Sequence, residues 1–79
     1  MKVYIAGKIT GDENYKLKFS AIEKILQEFG YVVLSPAVLA AGMTPADYMR
    51  ICFAMIDTAD CVYFLPDWKQ SKGAQLANI

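Results

Sequence analysis

The chain has 79 residues, of which 56% are hydrophobic, and its eight basic and eight acidic side chains cancel. This length allows one domain, residues 1–79, and the apolar content excludes intrinsic disorder. The chain has no basic block, which argues against a nucleic-acid polymer as partner, because such binding depends on neutralising phosphates.

The first predicted elements are a buried strand and an amphipathic helix. Residues 3–6 form a short apolar run that glycine ends, which is typical of a parallel strand. The helix can begin at Asp12 or Asn14, and Gly30 is a natural stop. One side carries apolar residues at steps of three and four: Phe19, Ile22, Leu26 and Phe29. The other side is predicted to be charged and solvated: Lys16, Lys18, Glu23, Lys24 and Glu28.

A second strand and a second helix follow. Residues 31–34 are apolar and end at Ser35-Pro36, which predicts the strand. The start of the second helix has three matching signals, namely Thr44 at the N-cap, Pro45 at N1 and Asp47 at N3. The helix is expected to end near Ala59. Residues 51–56 are apolar all round, so we expect the 48–56 segment to pack against the sheet and also against another subunit, giving a homo-oligomer, a dimer or higher.

The last predicted elements complete a doubly wound pattern. Residues 61–65 form a third strand, and Gly73 begins a third helix of which about two turns fit before residue 79. The alternation of strand and helix predicts a flavodoxin-like, Rossmann-like α/β three-layer sandwich, short at its C-terminal end, with a parallel sheet ordered 2-1-3. The loops after strands one and three should meet at the switch point.

Cysteine and histidine content excludes several chemistries. Cys52 and Cys61 lack metal-ligand spacing and the chain has no histidine, so neither a zinc site nor a histidine triad is expected. We expect no cofactor, and we expect both cysteines to be small buried hydrophobes in a reducing compartment. The apolar start is too short for a signal peptide and no run is long enough to span a membrane, which predicts a cytoplasmic protein without a membrane partner.

The loop after the first strand is Gly7-Lys8-Ile9-Thr10-Gly11. It lacks the spacing of a dinucleotide fingerprint or of a phosphate-binding P-loop. Its glycines allow a ligand to approach the backbone, and Lys8 can meet a phosphate, but glycines after a strand are also ordinary turn formers. Both interpretations stay open from these residues.

The loop after the third strand is more specific. Ser71 lies two residues before Gly73 at a helix start, where it is either an N-cap or a donor to an anion. Asp67 either orients a sugar hydroxyl or caps the turn. Trp68 either stacks on a base or contributes to a subunit contact.

Three segments together carry a resemblance: VYIAGKITG at 3–11, YMRICFAMIDTAD at 48–60 and VYFLPDWKQSKGAQ at 62–75. They resemble the nucleoside 2-deoxyribosyltransferase superfamily, and most closely a branch of small proteins labelled DUF4406. The resemblance covers nearly the whole chain. It implies an oligomeric flavodoxin-like protein that cleaves or exchanges the N-glycosidic bond of deoxynucleosides or of their monophosphates.

The resemblance also implies roles for individual residues. Tyr4 matches a tyrosine that lies near the catalytic glutamate of the family. Contacts with the sugar, the base or a 5′-phosphate fall to Gly7, Lys8, Ile9 and Thr10. In the nucleotide-hydrolase branch a serine before the last helix binds phosphate, and Ser71 matches it, followed by Gly73 and Ala74.

Two departures from the family pattern bear on catalysis. The position of the family glutamate falls at Ala77, and that of a second acid, which protonates the base, falls at Cys52. Breaking a glycosidic bond builds positive charge on the sugar, so a carboxylate must face it and an acid must help the base to leave. Asp67 is the carboxylate placed best to replace a missing acid, and with Tyr4 it is the expected catalytic pair. Asp57 and Asp60 fall near the opposite end of the sheet.

These observations leave two hypotheses of different classes. The first is a binding site for a nucleoside or nucleotide, with N-glycosidase or deoxyribosyl-transfer chemistry weakened by the loss of both acids. The second is a non-catalytic structural or interaction protein that oligomerises through its apolar helix. A natural pseudoenzyme and a shortened form of a longer parent both explain Ala77, but shortening does not explain the internal Cys52.

Overall fold

A computed structural model describes residues 1–70, which form a parallel three-stranded sheet between two helices. The strands are β1 (Lys2–Ala6), β2 (Val32–Leu34) and β3 (Cys61–Phe64), and the helices are α1 (Tyr15–Glu28) and α2 (Pro45–Thr58). Two short 3-10 turns follow β2 and β3, at Pro36–Val38 and Trp68–Gln70. The strand order is β2-β1-β3, so the predicted order and the flavodoxin-like α/β class are confirmed.

The central strand β1 divides the core into two clusters, because alternate side chains of a strand point to opposite faces. On the α1 face, Val3 and Ile5 pack with Phe19, Leu26 and Leu65. On the opposite face, Tyr4 and Ala6 are buried against one stripe of α2 and its C-cap, namely Cys52, Met55, Ile56 and Ala59. A helix therefore covers each face of the sheet, as the sandwich architecture requires.

The helix ends follow the predicted signals, with one exception. Thr44 and Asp47 form a reciprocal capping box at the start of α2. At the end of α1, Gly30 has φ +88° and its N–H binds the Gln27 carbonyl, while the Tyr31 N–H binds the Leu26 carbonyl, which is a Schellman motif. The spacing of apolar residues predicts Phe29 on the apolar side of α1, and this prediction is wrong. Phe29 is 73% exposed and occupies the C-cap, just beyond the last helical residue.

Cys61 is also a correction, since it is exposed rather than buried. In residues 1–70, β3 pairs only with β1 and is therefore an edge strand. The core cluster on the α1 face takes in Val33 of β2 but no residue of β3, so nothing in that cluster covers Cys61. Cys52 is half-buried, in agreement with its predicted place in the core. No helix within residues 1–70 combines the length and the apolar character that crossing a bilayer demands.

Candidate functional site

Residues 7–11 and 65–70 are the loops at the carboxyl ends of the neighbouring strands β1 and β3, and we call the place where they meet the crevice. The Leu65 N–H donates to the Ala6 carbonyl at 2.8 Å, which continues the pairing of the two segments one residue past the end of β3. The Lys8 N–H then donates to Asp67 Oδ1 at 3.1 Å. The two loops that the strand order predicts to converge are thus joined directly.

The two glycines of the first loop are needed for different physical reasons, one for lack of space and the other for its backbone conformation. Gly7 is buried, and a Cβ at this position would lie 2.6 Å from Leu65 Cδ1 and 3.0 Å from Leu65 Cβ. Gly11 has φ +81°, a left-handed conformation that residues with side chains rarely adopt. Gly7 therefore allows the two loops to approach, and Gly11 allows the chain to reverse toward α1.

A carboxyl-end network of three charged side chains fixes this crevice. Lys18 Nζ donates to Asp67 Oδ2 and to Asp12 Oδ2. The other oxygen of Asp12 accepts the Asn14 N–H at 2.9 Å, at the entrance to α1. Asn14 itself occupies the N-cap without a side-chain bond. One ammonium group thus connects the β1 loop, α1 and the β3 loop.

The network controls the charge of its members. Burial raises the pKa of Asp67, but hydrogen bonds from Lys18 and from the Lys8 amide outweigh it, and the net pKa is lowered. The hydrogen bonds to Asp12 and Asp67 raise the pKa of Lys18, and the bond from Lys18 lowers the pKa of Asp12. Asp67 is therefore a carboxylate at neutral pH. It can accept a hydrogen bond from a hydroxyl, but it holds no proton to give to a leaving base.

Tyr4 lies beneath the crevice, on the α2 side of β1, and is only 3% exposed. Burial, followed by the hydrogen bond and the electrostatic interaction with Cys52, strongly raises the pKa of its hydroxyl. Tyr4 is therefore neutral at neutral pH and carries no phenolate that could serve as a base. The two positions that the resemblance assigns to the family tyrosine and to the second acid are in contact with each other.

Trp68 lies at the α2 side of the crevice and is half-buried. Its ring centroid is 5.0 Å from that of Phe64, with the rings tilted by 56°, and Lys69 Nζ lies 5.8 Å from the indole. Among the other predicted contacts, Lys8 and Ile9 are half-buried and Thr10 is exposed. The remaining predicted site residues lie outside the described residues, namely Ser71, Gly73, Ala74 and Ala77.

Sequence reasoning missed Lys18 and Asp12 as members of the site. The pattern of α1 predicts Lys18 on the solvated side of the helix, and the sequence predicts Asp12 only as a helix cap. Lys18 binds both aspartates, and its partner Asp67 is 49 positions away along the chain. No spacing rule relates residues so far apart, so only the fold reveals the network.

A cleft of about 350 Å³ lies elsewhere, between α1 and the turn after β2. Its lining combines charged, hydroxyl and apolar groups from Lys16, Phe19, Ser20, Glu23, Ser35, Ala37, Val38 and Leu39. None of these residues belongs to the crevice. Across residues 1–70, no three histidine, cysteine, aspartate or glutamate side chains are grouped in a way that would hold a metal ion.

Comparison with known proteins identifies a family but no activity. The family described as "Domain of unknown function (DUF4406)" matches residues 1–78. Since this match spans nearly the whole chain, the protein belongs to the DUF4406 family. No curated protein and no solved structure matches the chain significantly.

Proposed function

We propose that this protein binds a nucleoside monophosphate or deoxynucleoside in the crevice of residues 7–11 and 65–70. The observation that supports this most is the carboxyl-end network, in which Lys18 ties both loops together at the switch point. Open parallel α/β sheets bind their ligands at this position. A crevice whose walls are fixed in advance loses less entropy when a ligand binds.

Asp67 is proposed to accept a hydrogen bond from a sugar hydroxyl. Its side chain is 22% exposed, so a ligand can reach it. Each carboxylate oxygen already accepts one hydrogen bond and can accept another. Because Asp67 is held ionised, this role fits its charge better than that of a general acid.

The phosphate end of the proposed ligand rests on sequence alone. Ser71 and Gly73 match the phosphate-binding pattern of the nucleotide-hydrolase branch in the resemblance to nucleoside 2-deoxyribosyltransferases. Membership of DUF4406 agrees with the branch to which the resemblance points. The link to the wider superfamily is part of this proposal.

Turnover is proposed to be weak or absent. Ala77 carries no carboxylate, and Tyr4 and Cys52 lie together in the apolar cluster on the α2 face of β1. Loss of a nucleophile lowers catalysis by several orders of magnitude, while contacts that bind the ligand survive. The protein is therefore expected to bind better than it catalyses.

Isothermal titration with the deoxynucleoside monophosphates tests the binding. We expect saturable heat with wild-type protein, and about tenfold weaker binding for Asp67→Asn, because a charged hydrogen bond is weakened. Asp60→Asn is the matched control, since Asp60 is also bound to a lysine but lies at the other end of the sheet. No heat at millimolar ligand with folded protein contradicts the proposal.

Two further experiments separate phosphate recognition from turnover. Ser71→Asp should weaken monophosphates and spare the matching nucleosides, because it brings like charges together. Equal loss for both ligand classes would contradict a phosphate role. Chromatography of incubated nucleotides should show no free base, and its release by the wild type would contradict the loss of catalysis.

The second candidate, a non-catalytic interaction protein, is favoured by one observation. Helix α2 keeps an exposed side that carries Phe53, which is 46% exposed. The two functions are compatible, because this side lies away from the crevice.

A further inference from the structure

Helix α2 has two sides with different environments. The inner side packs on Tyr4 and Ala6 of β1, yet none of the fourteen residues of the helix is fully buried. The outer side carries four exposed residues at helical spacing, Arg50, Phe53, Ala54 and Asp57, which we call the α2 outer face. Steps of three and four residues place all four on one side of the helix.

The two charges of the α2 outer face have no partner within residues 1–70. The ion pairs of this part of the chain join Lys2 to Asp60, and Lys18 to Asp12 and Asp67. Arg50 and Asp57 lie seven residues apart, which is roughly 10 Å along the helix axis. They are therefore too far apart to pair with each other, although they point to the same side.

We propose that the α2 outer face is a two-fold interface with α2 of a second copy of this chain, the helices running antiparallel. A two-fold axis between Phe53 and Ala54 sets Arg50 opposite the partner's Asp57, and Asp57 opposite the partner's Arg50. The same axis sets Phe53 against the partner's Ala54, whose small side chain leaves room for the ring. The symmetric contact therefore contains two ion pairs and two contacts of a phenylalanine ring with an alanine methyl group.

The arrangement of the two charges on the α2 outer face favours a second copy of this chain as the partner that covers it. A positive and a negative group at equal distances from one point form a self-complementary pattern only when the facing helix runs in the opposite direction. A parallel arrangement would place Arg50 against Arg50 and Asp57 against Asp57, which is repulsive. The apolar residues between the charges supply the area that must leave water.

The contact is expected to be modest in size. A helix of fourteen residues is about 21 Å long. Its side buries far less than the roughly 800 Å² per partner of a typical stable interface. The dimer should therefore depend on protein concentration and form in the micromolar to millimolar range.

Sedimentation equilibrium of charge-reversed variants tests the antiparallel register. Arg50→Glu and Asp57→Arg, each alone, place like charges opposite each other twice and should weaken dimerisation about tenfold or more. An equimolar mixture of the two single variants should form a heterodimer near wild-type affinity, because both pairs then have opposite signs. The double variant carrying both changes should dimerise with itself.

Controls separate this interface from general charge effects and from loss of folding. Lys24→Glu reverses an exposed charge on α1 and should leave the dimer unchanged. All four residues of the α2 outer face are exposed, so the variants should keep the wild-type circular dichroism and urea midpoint. A monomeric wild type at about 1 mM overturns the proposal, since even a weak interface would be populated there. Failure of the mixture or of the double variant to recover overturns the register.

Discussion

The two ends of the sheet carry the same kind of interaction, an aspartate bound to a backbone N–H and to a lysine, but these interactions connect different parts of the chain. Asp60 precedes β3 and Asp67 follows it, and each accepts a backbone N–H, Asp60 from the start of β1 and Asp67 from the loop after β1. The donors are Lys2 N at 2.7 Å and Lys8 N at 3.1 Å. Each aspartate also binds a lysine ammonium, that of Lys2 at the amino end and that of Lys18 at the carboxyl end.

The difference lies in how many segments each arrangement connects. At the amino end, Lys2 supplies both groups, and the Lys2 and Asp60 side chains are 43% and 47% exposed. At the carboxyl end, the Lys18 and Asp67 side chains are 33% and 22% exposed. Lys18 also binds Asp12, so two loops and a helix are joined. The first arrangement only closes the sheet. The second joins the two loops at which the ligand is proposed to bind.

The largest expected effect comes from Gly7→Val at the carboxyl end. The new side chain would collide with Leu65, and overpacking of this kind costs about 2–3 kcal/mol of the free energy of unfolding. The displaced loop should also lose nucleotide binding. Urea denaturation and titration calorimetry measure the two effects.

The matched control is Gly30→Ala, at the end of α1. Gly30 has φ +88° but an open surrounding, so only the left-handed conformation is penalised, by about 1–2 kcal/mol. Nucleotide binding should be unchanged. If Gly30→Ala abolished binding as Gly7→Val does, the effect would be global rather than specific to the crevice.

The second largest effect is expected on nucleotide affinity when Lys18 is replaced, with Lys2 as the control. Lys18→Met leaves Asp12 and Asp67 facing each other without their cation, so nucleotide affinity should fall about tenfold. Lys2→Met removes the corresponding group at the amino end and should leave affinity unchanged. Titration calorimetry checks both, and an equal loss for the two variants would remove the distinction between the ends.

The third effect is the dependence of stability on pH. The pKa of Asp67 lies below 3.8 in the folded state, so its contribution is present above pH 3.8 and is lost as pH falls through the lowered pKa. The pKa of Lys18 lies above 10.5, so its contribution is present below pH 10.5 and is lost as pH rises through the raised pKa.

Urea unfolding of wild type and Lys18→Met across pH measures this dependence. The difference in stability should be constant between about pH 5 and pH 9 and should shrink on both sides. A difference that keeps the same size at pH 2 would show that the ion pairs do not cause it.

The smallest effect is expected from salt. Exposed charges are screened more than partly buried ones, so 1 M salt should weaken the coupling of Lys2 and Asp60 more than that of Lys18 and Asp67. Double-mutant cycles at low and high salt measure both couplings. Equal screening would indicate that the two ends are equally solvated.

The predicted elements agree with the structure where the signals are local. The capping box at Thr44, the glycine stop at Gly30 and the buried strand at 3–6 each depend on residues only a few positions apart. Two predictions of burial were wrong, those for Cys61 and Phe29, because apolar spacing alone does not show what covers a residue. Cys61 and Phe29 are apolar at suitable spacing, but one lies on an edge strand and the other at a C-cap, so neither is covered.

The elements, their order in the sheet and the meeting of two loops at its carboxyl edge can all be predicted from the amino-acid sequence. Periodicity, caps and the handedness of crossovers suffice for these, because each acts over one element or one connection. The contact of Lys18 with Asp67 and the close approach of Gly7 to Leu65 cannot be predicted in this way and are seen only in the folded chain. These contacts join residues 49 and 58 positions apart, so they depend on the directions in which the folded chain points its side chains.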